Sequence, residues 1–157
     1  MKIIEVFTDG SCIKKKSYIT SGYGIYFPHG ELPNVSRKFM HKPFTNQRAE
    51  LFAIYVALIL IRKTQEFDKI TIYSDSEYSI KCLTIWGDNW RKSGWKTADH
   101  KNVKNTDILI PLYEIYEKIK EKVEFKHVTA HTGKSDYLST GNAMADKLAT
   151  TGAGKNN

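Results

Sequence analysis

Four carboxylates, Asp9, Glu50, Asp75 and Asp146, stand either at the ends of apolar runs or inside them. Asp9 follows residues 3–8 and Asp75 follows residues 69–74. Both runs read as strands, so both carboxylates are expected at strand carboxyl ends, where ligands gather in open α/β sheets. Glu50 is expected in the first turn of a helix that is otherwise apolar, and Asp146 among Ala143, Met144, Ala145 and Leu148. An isolated carboxylate in such surroundings is costly, because loss of water disfavours its charged form. Two arrangements relieve that cost. Each group can be capped or paired locally, with Glu50 and Asp75 at helix ends where negative charge is favoured. Alternatively the four converge on a hard divalent cation that takes oxygen ligands. A cluster of carboxylates without Cys or paired His favours Mg²⁺ or Mn²⁺ over zinc. Two such ions about 4 Å apart can clamp the attacking and leaving oxygens of a phosphodiester. Spacing alone does not show that the four meet.

The elements that must position these groups follow from periodicity. Residues 3–8, 23–27 and 35–40 read as an antiparallel meander, the first strand stopped by Asp9-Gly10-Ser11 and followed by an exposed Lys14-Lys15-Lys16 loop. Thr45-Asn46 is a helix N-cap, and residues 51–61 are apolar nearly all round, as in a central buried helix. A strand at 69–74 and a short helix at 76–83 come next, then a polar, tryptophan-bearing stretch at 86–105. A helix at 107–121, a strand at 123–129, a loop at 131–141 and a helix at 142–148 complete the order. Three strands, a helix, a strand, helices, a strand and a helix make an α/β domain on a mixed sheet. One domain is expected over residues 1–150, with a small polar tail at 151–157 that frays.

The chain of 157 residues carries 24 Lys and Arg against 17 Asp and Glu, a net charge of +7 that favours a polyanionic partner. Between Trp86 and Asn105 five cations stand against Asp88 and Asp99, interleaved with Trp86, Trp90 and Trp95. Trp86 and Trp90 share a helix face at i, i+4 spacing. The tryptophans could be core, but aromatics among cations suit a groove that tracks a nucleic-acid strand. No apolar run is long enough to cross a membrane and no signal peptide is evident, so no membrane partner is expected. Two cysteines, Cys12 and Cys82, suggest a reducing intracellular compartment, cytoplasm or nucleus, without a disulfide framework. Cys82 reads as core.

Phe7-Thr8-Asp9-Gly10-Ser11-Cys12, Thr45-Asn46-Gln47-Arg48-Ala49-Glu50-Leu51 and Tyr73-Ser74-Asp75-Ser76 resemble successive motifs of type 1 ribonuclease H. So do the tryptophan-rich segment from Trp86 to Thr97, and His131-Thr132-Gly133 with Gly141-Asn142 and Ala145-Asp146. Five motifs in the family's order cover residues 7–148, and that is highly specific. The resemblance implies a ribonuclease H-like mixed five-stranded sheet flanked by helices. It implies endonucleolytic cleavage of the RNA strand of RNA–DNA hybrids with two Mg²⁺ ions (Mn²⁺ as substitute), leaving 5′-phosphate and 3′-hydroxyl ends. The family's metal ligands fall on Asp9, Glu50, Asp75 and Asp146.

By the same resemblance His131 assists proton transfer or product release near the scissile phosphate, a role that suits an imidazole. Residues 86–105 match the basic protrusion, or handle. Trp86 and Trp90 match its DNA-strand channel, Arg91, Lys92 and Lys96 its cations, and Thr97 lies beside the handle position. Thr45 and Asn105 match a pocket for a DNA phosphate. Cys12, Asn46 and Gln47 match positions near the RNA 2′-hydroxyls, the group that separates RNA from DNA. Trp95 is expected to pack the handle together. The chain departs from the family in two places. Pro43 replaces a common Arg, leaving Lys42 and Arg48 nearby, with a surface ion pair as the alternative for Arg48. The stretch from His131 to Asp146 carries extra residues around 134–140. A standalone monomeric enzyme is expected, with no hybrid-binding domain ahead of residue 1. The rivals are the ribonuclease H domain of a reverse transcriptase and a catalytically silent hybrid-binding module. The four carboxylates and His131 argue against the silent module.

Overall fold

A computed structural model describes residues 1–130 and 132–155. Five strands, β1 (Ile3–Lys14), β2 (Ile19–Tyr26), β3 (Val35–Lys38), β4 (Lys69–Ser74) and β5 (Val123–His127), form one sheet in the order β3-β2-β1-β4-β5. β1, β2 and β3 are an antiparallel meander, while β4 and β5 lie parallel to β1. The helices are α1 (Asn46–Thr64), α2 (Glu77–Lys81), α3 (Gly87–Lys92), α4 (Thr106–Ile119) and α5 (Tyr137–Ala153). A π-helical turn, Cys82–Trp86, joins α2 to α3. The expected mixed five-stranded sheet flanked by helices is the one observed.

Alternation along the strands separates two cores. Ile4, Val6, Ile70 and Ile72 pack with Leu51, Ile54, Leu58 and Ile61 of α1 and with Ile108 and Leu112 of α4. Phe7, Tyr73, Val128 and Ala145 form a smaller core beneath α5, where the Phe7 and Tyr73 rings stack at 4.5 Å. α5 lies directly on β2. A Cβ on Gly24 would come within 2.4 Å of the Ala145 carbonyl, and one on Gly22 within 2.2 Å of the Ala153 nitrogen. Glycine is required at both positions by close approach.

Several boundaries differ from the sequence reading. β1 does not stop at Asp9 but runs to Lys14, because its second partner, β2, remains paired as far as Lys14 opposite Ile19. Only the parallel pairing to β4 ends nearby, at Thr8 opposite Ser74. The short helix expected at 76–83 continues through the π-helical turn into α3. The loop expected at 131–141 ends earlier, since the Asp136 side chain accepts from the Ser139 N–H and starts α5 at Tyr137. Residues 151–153, expected in the tail, belong to α5, with Gly152 and Ala153 buried against the β3 side.

Candidate active site

The parallel register determines which groups meet. Phe7 pairs with Tyr73, so two residues further along each chain Asp9 and Asp75 fall on the same face of adjacent strands. Gly10 points the other way, toward α1. A Cβ there would lie 2.4 Å from the Glu50 nitrogen, so the missing side chain is what lets α1 deliver Glu50 beside Asp9. On the opposite face Asp9 pairs with Gly24, and the close contact of Gly24 with Ala145 carries the next residue, Asp146, to the same place.

Asp9, Glu50 and Asp75 each offer a ligand oxygen, and these oxygens all lie within 4.8 Å of one another. Asp146, partly buried, flanks this trio and acts on Asp9 by a side-chain hydrogen bond and by like charge. His131 lies outside the described residues. Neither Glu50 nor Asp75 is itself a helix N-cap. The cap of α1 is Thr45, whose Oγ1 accepts from the Arg48 N–H, and the cap of α2 is Ser76. Glu50 is the fifth residue of α1, beyond the first turn expected for it.

Burial pushes the Asp9 carboxyl up to about 7; the hydrogen bond with Glu50 works against this, and the Asp75 and Asp146 charges add to it. Glu50 is raised well above the carboxylate range by burial, by its hydrogen bond with Asp9 and by the charges of Asp9 and Asp75. Buried side by side, the two resist ionising together unless a proton or a cation neutralises their charge. Glu50 Oε2 is buried without a hydrogen-bond partner. An all-oxygen trio, with the Asp9 and Glu50 carboxyls raised and an orphaned buried oxygen on Glu50, fits a hard divalent cation.

The aromatics of the handle form a chain with Tyr78 and Tyr113. Ring centroids run from Tyr78 to Trp86 at 6.3 Å, Trp86 to Trp90 at 5.6 Å, Trp90 to Trp95 at 6.5 Å and Trp95 to Tyr113 at 6.0 Å. Trp86 is exposed, Trp90 and Trp95 half-buried. Gln47, Tyr78, Trp86, Trp90 and Thr97 line a groove of about 600 Å³. Lys96 borders a second concavity on Trp86 and Trp90, whereas Arg91 and Lys92 line neither. Four of the five handle cations are locally engaged. Arg91 pairs with Asp88 and Glu117, Lys92 with Asp88 and Lys101 with Asp99, while Lys96 donates to Asn102.

The ion pair considered for Arg48 is present, but Arg48 itself is buried while its partner Asp107 is exposed. Its guanidinium donates to both Asp107 oxygens at 2.7 and 2.6 Å, to the His41 and Lys42 carbonyls at 3.3 Å, and at 3.4 Å to Asn105 Oδ1. Asn105 in turn donates to the Tyr78 hydroxyl at 2.9 Å. Arg48 thus ties Thr45, through the cap, to Asn105, across 57 residues of sequence. No local spacing announces Asp107 as its partner. Asp107→Ala is expected to lower stability by about 1–3 kcal/mol, the scale of losing hydrogen bonds to a buried charged group. Urea unfolding measures it, and an unchanged midpoint would show that the pair is energetically idle. Cys12, half-buried, donates its thiol to the Phe44 carbonyl at 3.3 Å, and Asn46 and Gln47 are exposed in the first turn of α1. Cys82 is buried, as expected of core.

A mixed sheet whose parallel strands end in grouped carboxylates, with a helix crossing each face, defines a ribonuclease H-like nuclease fold. The RNase H family model matches residues 1–154. A ribonuclease H of Vibrio campbellii is 36% identical over 97% of this chain and 90% of its own length. The "Probable ribonuclease H" of Acanthamoeba polyphaga mimivirus is 35% identical over 85% of this chain, which spans 58% of that protein's length. In three dimensions the PFV RNase H domain matches with a TM-score of 0.78 and 25% identity, covering 96% of this chain and 93% of its own. The chain belongs to the RNase H family of hydrolases, and that membership implies cleavage of RNA in RNA–DNA hybrids. The family generally uses divalent metal, in keeping with the buried acidic cluster. Among the described residues no helix is long and apolar enough to cross a membrane.

Proposed function

We propose that residues 1–150 form a catalytic unit that hydrolyses the RNA strand of RNA–DNA hybrids endonucleolytically, leaving 5′-phosphate and 3′-hydroxyl ends. The observation that carries the reading is the Asp9–Glu50–Asp75 trio with its partnerless, buried Glu50 Oε2, on a basic protein that also carries an aromatic groove. Two Mg²⁺ ions held by Asp9, Glu50, Asp75 and Asp146 would supply a water nucleophile near neutral pH and charge stabilisation at the leaving oxygen. The remaining work belongs to the protein. Trp86 and Trp90 present ring faces and edges to the deoxyribose strand, where an added 2′-hydroxyl would clash. Cys12, Asn46 and Gln47 meet the ribose strand. Thr45 and Asn105, aligned by Arg48, hold a DNA phosphate, with Thr97 in the groove and Lys96 in the second concavity that shares Trp86 and Trp90. Arg91 and Lys92 contribute through the field of the handle at residues 86–105. His131 serves proton transfer or product release. The chain acts as a monomer, and its sparse, unpaired cysteines suit a reducing intracellular compartment.

A Mg²⁺ titration with labelled hybrid, double-stranded RNA and double-stranded DNA tests this. Cleavage confined to the RNA of the hybrid and dependent on Mg²⁺ is expected. Comparable cutting of double-stranded RNA would refute the strand assignment, and tight hybrid binding without cutting at any Mg²⁺ concentration would favour the silent module.

A further inference from the structure

Beyond its pairing with β4, β1 continues as an arm with β2, from Gly10 to Lys14 against Ile19 to Tyr23. The arm closes in a turn where the Lys15 N–H donates to the Tyr18 carbonyl at 2.7 Å. The turn and the segment before α1 together line an open concavity of about 1000 Å³, with Lys14, Lys15, Lys16 and Lys42 on its walls and Tyr18 and Phe44 among its apolar parts. The Cys12–Phe44 hydrogen bond joins the two sides.

The charge here differs in kind from that of the handle. None of these four lysines makes an ion pair among the described residues. Between Asp9 and Glu50 the chain contains a single acidic residue, Glu31. The handle's Arg91, Lys92 and Lys101, by contrast, each face a carboxylate within the fold. A phosphate arriving at Arg91, Lys92 or Lys101 must compete with Asp88, Glu117 or Asp99, whereas one arriving at the hairpin, as at Lys96 and Lys104 of the handle, meets an ammonium group without an ion pair among the described residues. Lys14 is five residues from Asp9, about 17 Å along an extended strand. That is roughly five phosphates away at one charge per 3.4 Å of each strand.

We propose that this hairpin cradle is a second docking surface for the phosphate backbone of the hybrid and supplies a share of its salt-dependent binding. The proposal rests on the reading of the chain as a hybrid-cleaving enzyme. Its place is continuous with that reading, because Cys12 and Thr45, assigned to the hybrid, adjoin the two walls of the concavity. The neighbouring Tyr18 ring, 58% exposed, offers a sugar or base a stacking surface at the same place.

The test compares K14Q/K15Q/K16Q with K118Q/K120Q/K122Q, which removes the same charge from the opposite end of the sheet, ahead of β5. Hybrid Kd is measured against salt without divalent cation, on a duplex two helical turns long, after the fold of each variant is checked by thermal unfolding. At 0.7–0.9 per phosphate contact, the hairpin variant should flatten the slope of log K against log salt by about two units. The control should leave the slope near that of wild type, and K14R/K15R/K16R should restore it. Equal slopes for the two Gln variants would overturn the proposal in favour of diffuse charge. A hairpin variant that keeps the wild-type slope but no longer binds phosphatidylserine vesicles would overturn it in favour of a lipid surface. The parent reading fails separately, if wild-type protein does not cut the hybrid in Mg²⁺. Wild-type cutting with an unchanged hairpin slope defeats the cradle alone.

Discussion

Asp9→Asn is expected to lower hybrid cleavage by roughly a thousandfold or more while making the metal-free protein more stable at alkaline pH. The loss follows from removing a central oxygen ligand, since metal contributes several kcal/mol of transition-state stabilisation. Hybrid binding should persist or tighten, because one negative charge facing phosphate is gone. The gain in stability follows from linkage. The folded-state carboxyl of Asp9 sits at about 7, above its ordinary value of 3.8, so folding favours the protonated form. The stabilisation from this group is complete below the ordinary value and is lost as pH rises through about 7. In metal-free wild type at pH 8 the buried charge therefore costs roughly 1–4 kcal/mol, discounted for its coupling to Glu50, and an Asn side chain does not incur that cost. Thermal midpoints of chelator-treated wild type and variant should separate at pH 8 and converge near pH 4. Added Mg²⁺ should raise the wild-type midpoint and leave the variant nearly unmoved, because ligand binding stabilises only the state that binds. Near-wild-type turnover, or a variant less stable at pH 8, would defeat the assignment of Asp9 as a buried metal ligand.

Gly10→Ala should damage stability and chemistry together. The added Cβ would lie 2.4 Å from the Glu50 nitrogen, 2.6 Å from the Ala49 carbonyl carbon and 2.7 Å from Ala49 Cβ. Two of these atoms are backbone of α1, so no side-chain rotation relieves the clash. The helix must back away from β1. Overpacking of this kind costs about 1–3 kcal/mol, and Glu50 moves away from Asp9 with the helix. A displacement near 1 Å at a catalytic group can cost about a hundredfold in rate, so cleavage should fall on that scale and the Mg²⁺ needed for half-maximal rate should rise. Gly30→Ala is the comparison. That glycine has φ +75 and open space around its Cβ position, so its substitution should cost about 1 kcal/mol of stability through backbone strain alone and leave the Mg²⁺ requirement unaltered. Unchanged melting and turnover for Gly10→Ala would show that α1 and β1 are not held at the distance observed.

Local chemistry determined a good deal by itself. The alternation of residues 69–74, the apolar run of residues 51–61, and the oxygen-bearing side chains of Thr45 and Ser76 specify strand, buried helix and helix starts, because those preferences act over a few residues. Five motifs in order also identified the family, and the carboxylates stood out as acids in apolar surroundings. Where pairing partners lie far along the chain, only the tertiary structure decided. β1 runs past Asp9 because β2, folding back from the turn at residues 15–18, keeps its backbone bonded. Asp9 and Asp75 meet because of a parallel register across 66 residues, and Glu50 reaches them because Gly10 has no side chain. Arg48 is buried because Asp107 comes to it across the space between α1 and α4, a partnership that no local spacing encodes. The composition of the handle and of the hairpin reads alike as basic. Their electrostatics differ because Glu117 of α4, as well as the nearby Asp88 and Asp99, folds against the handle, while no described acid folds against Lys14, Lys15 and Lys16. Charge is a property of sequence; its compensation is a property of distance, and distance exists only after folding.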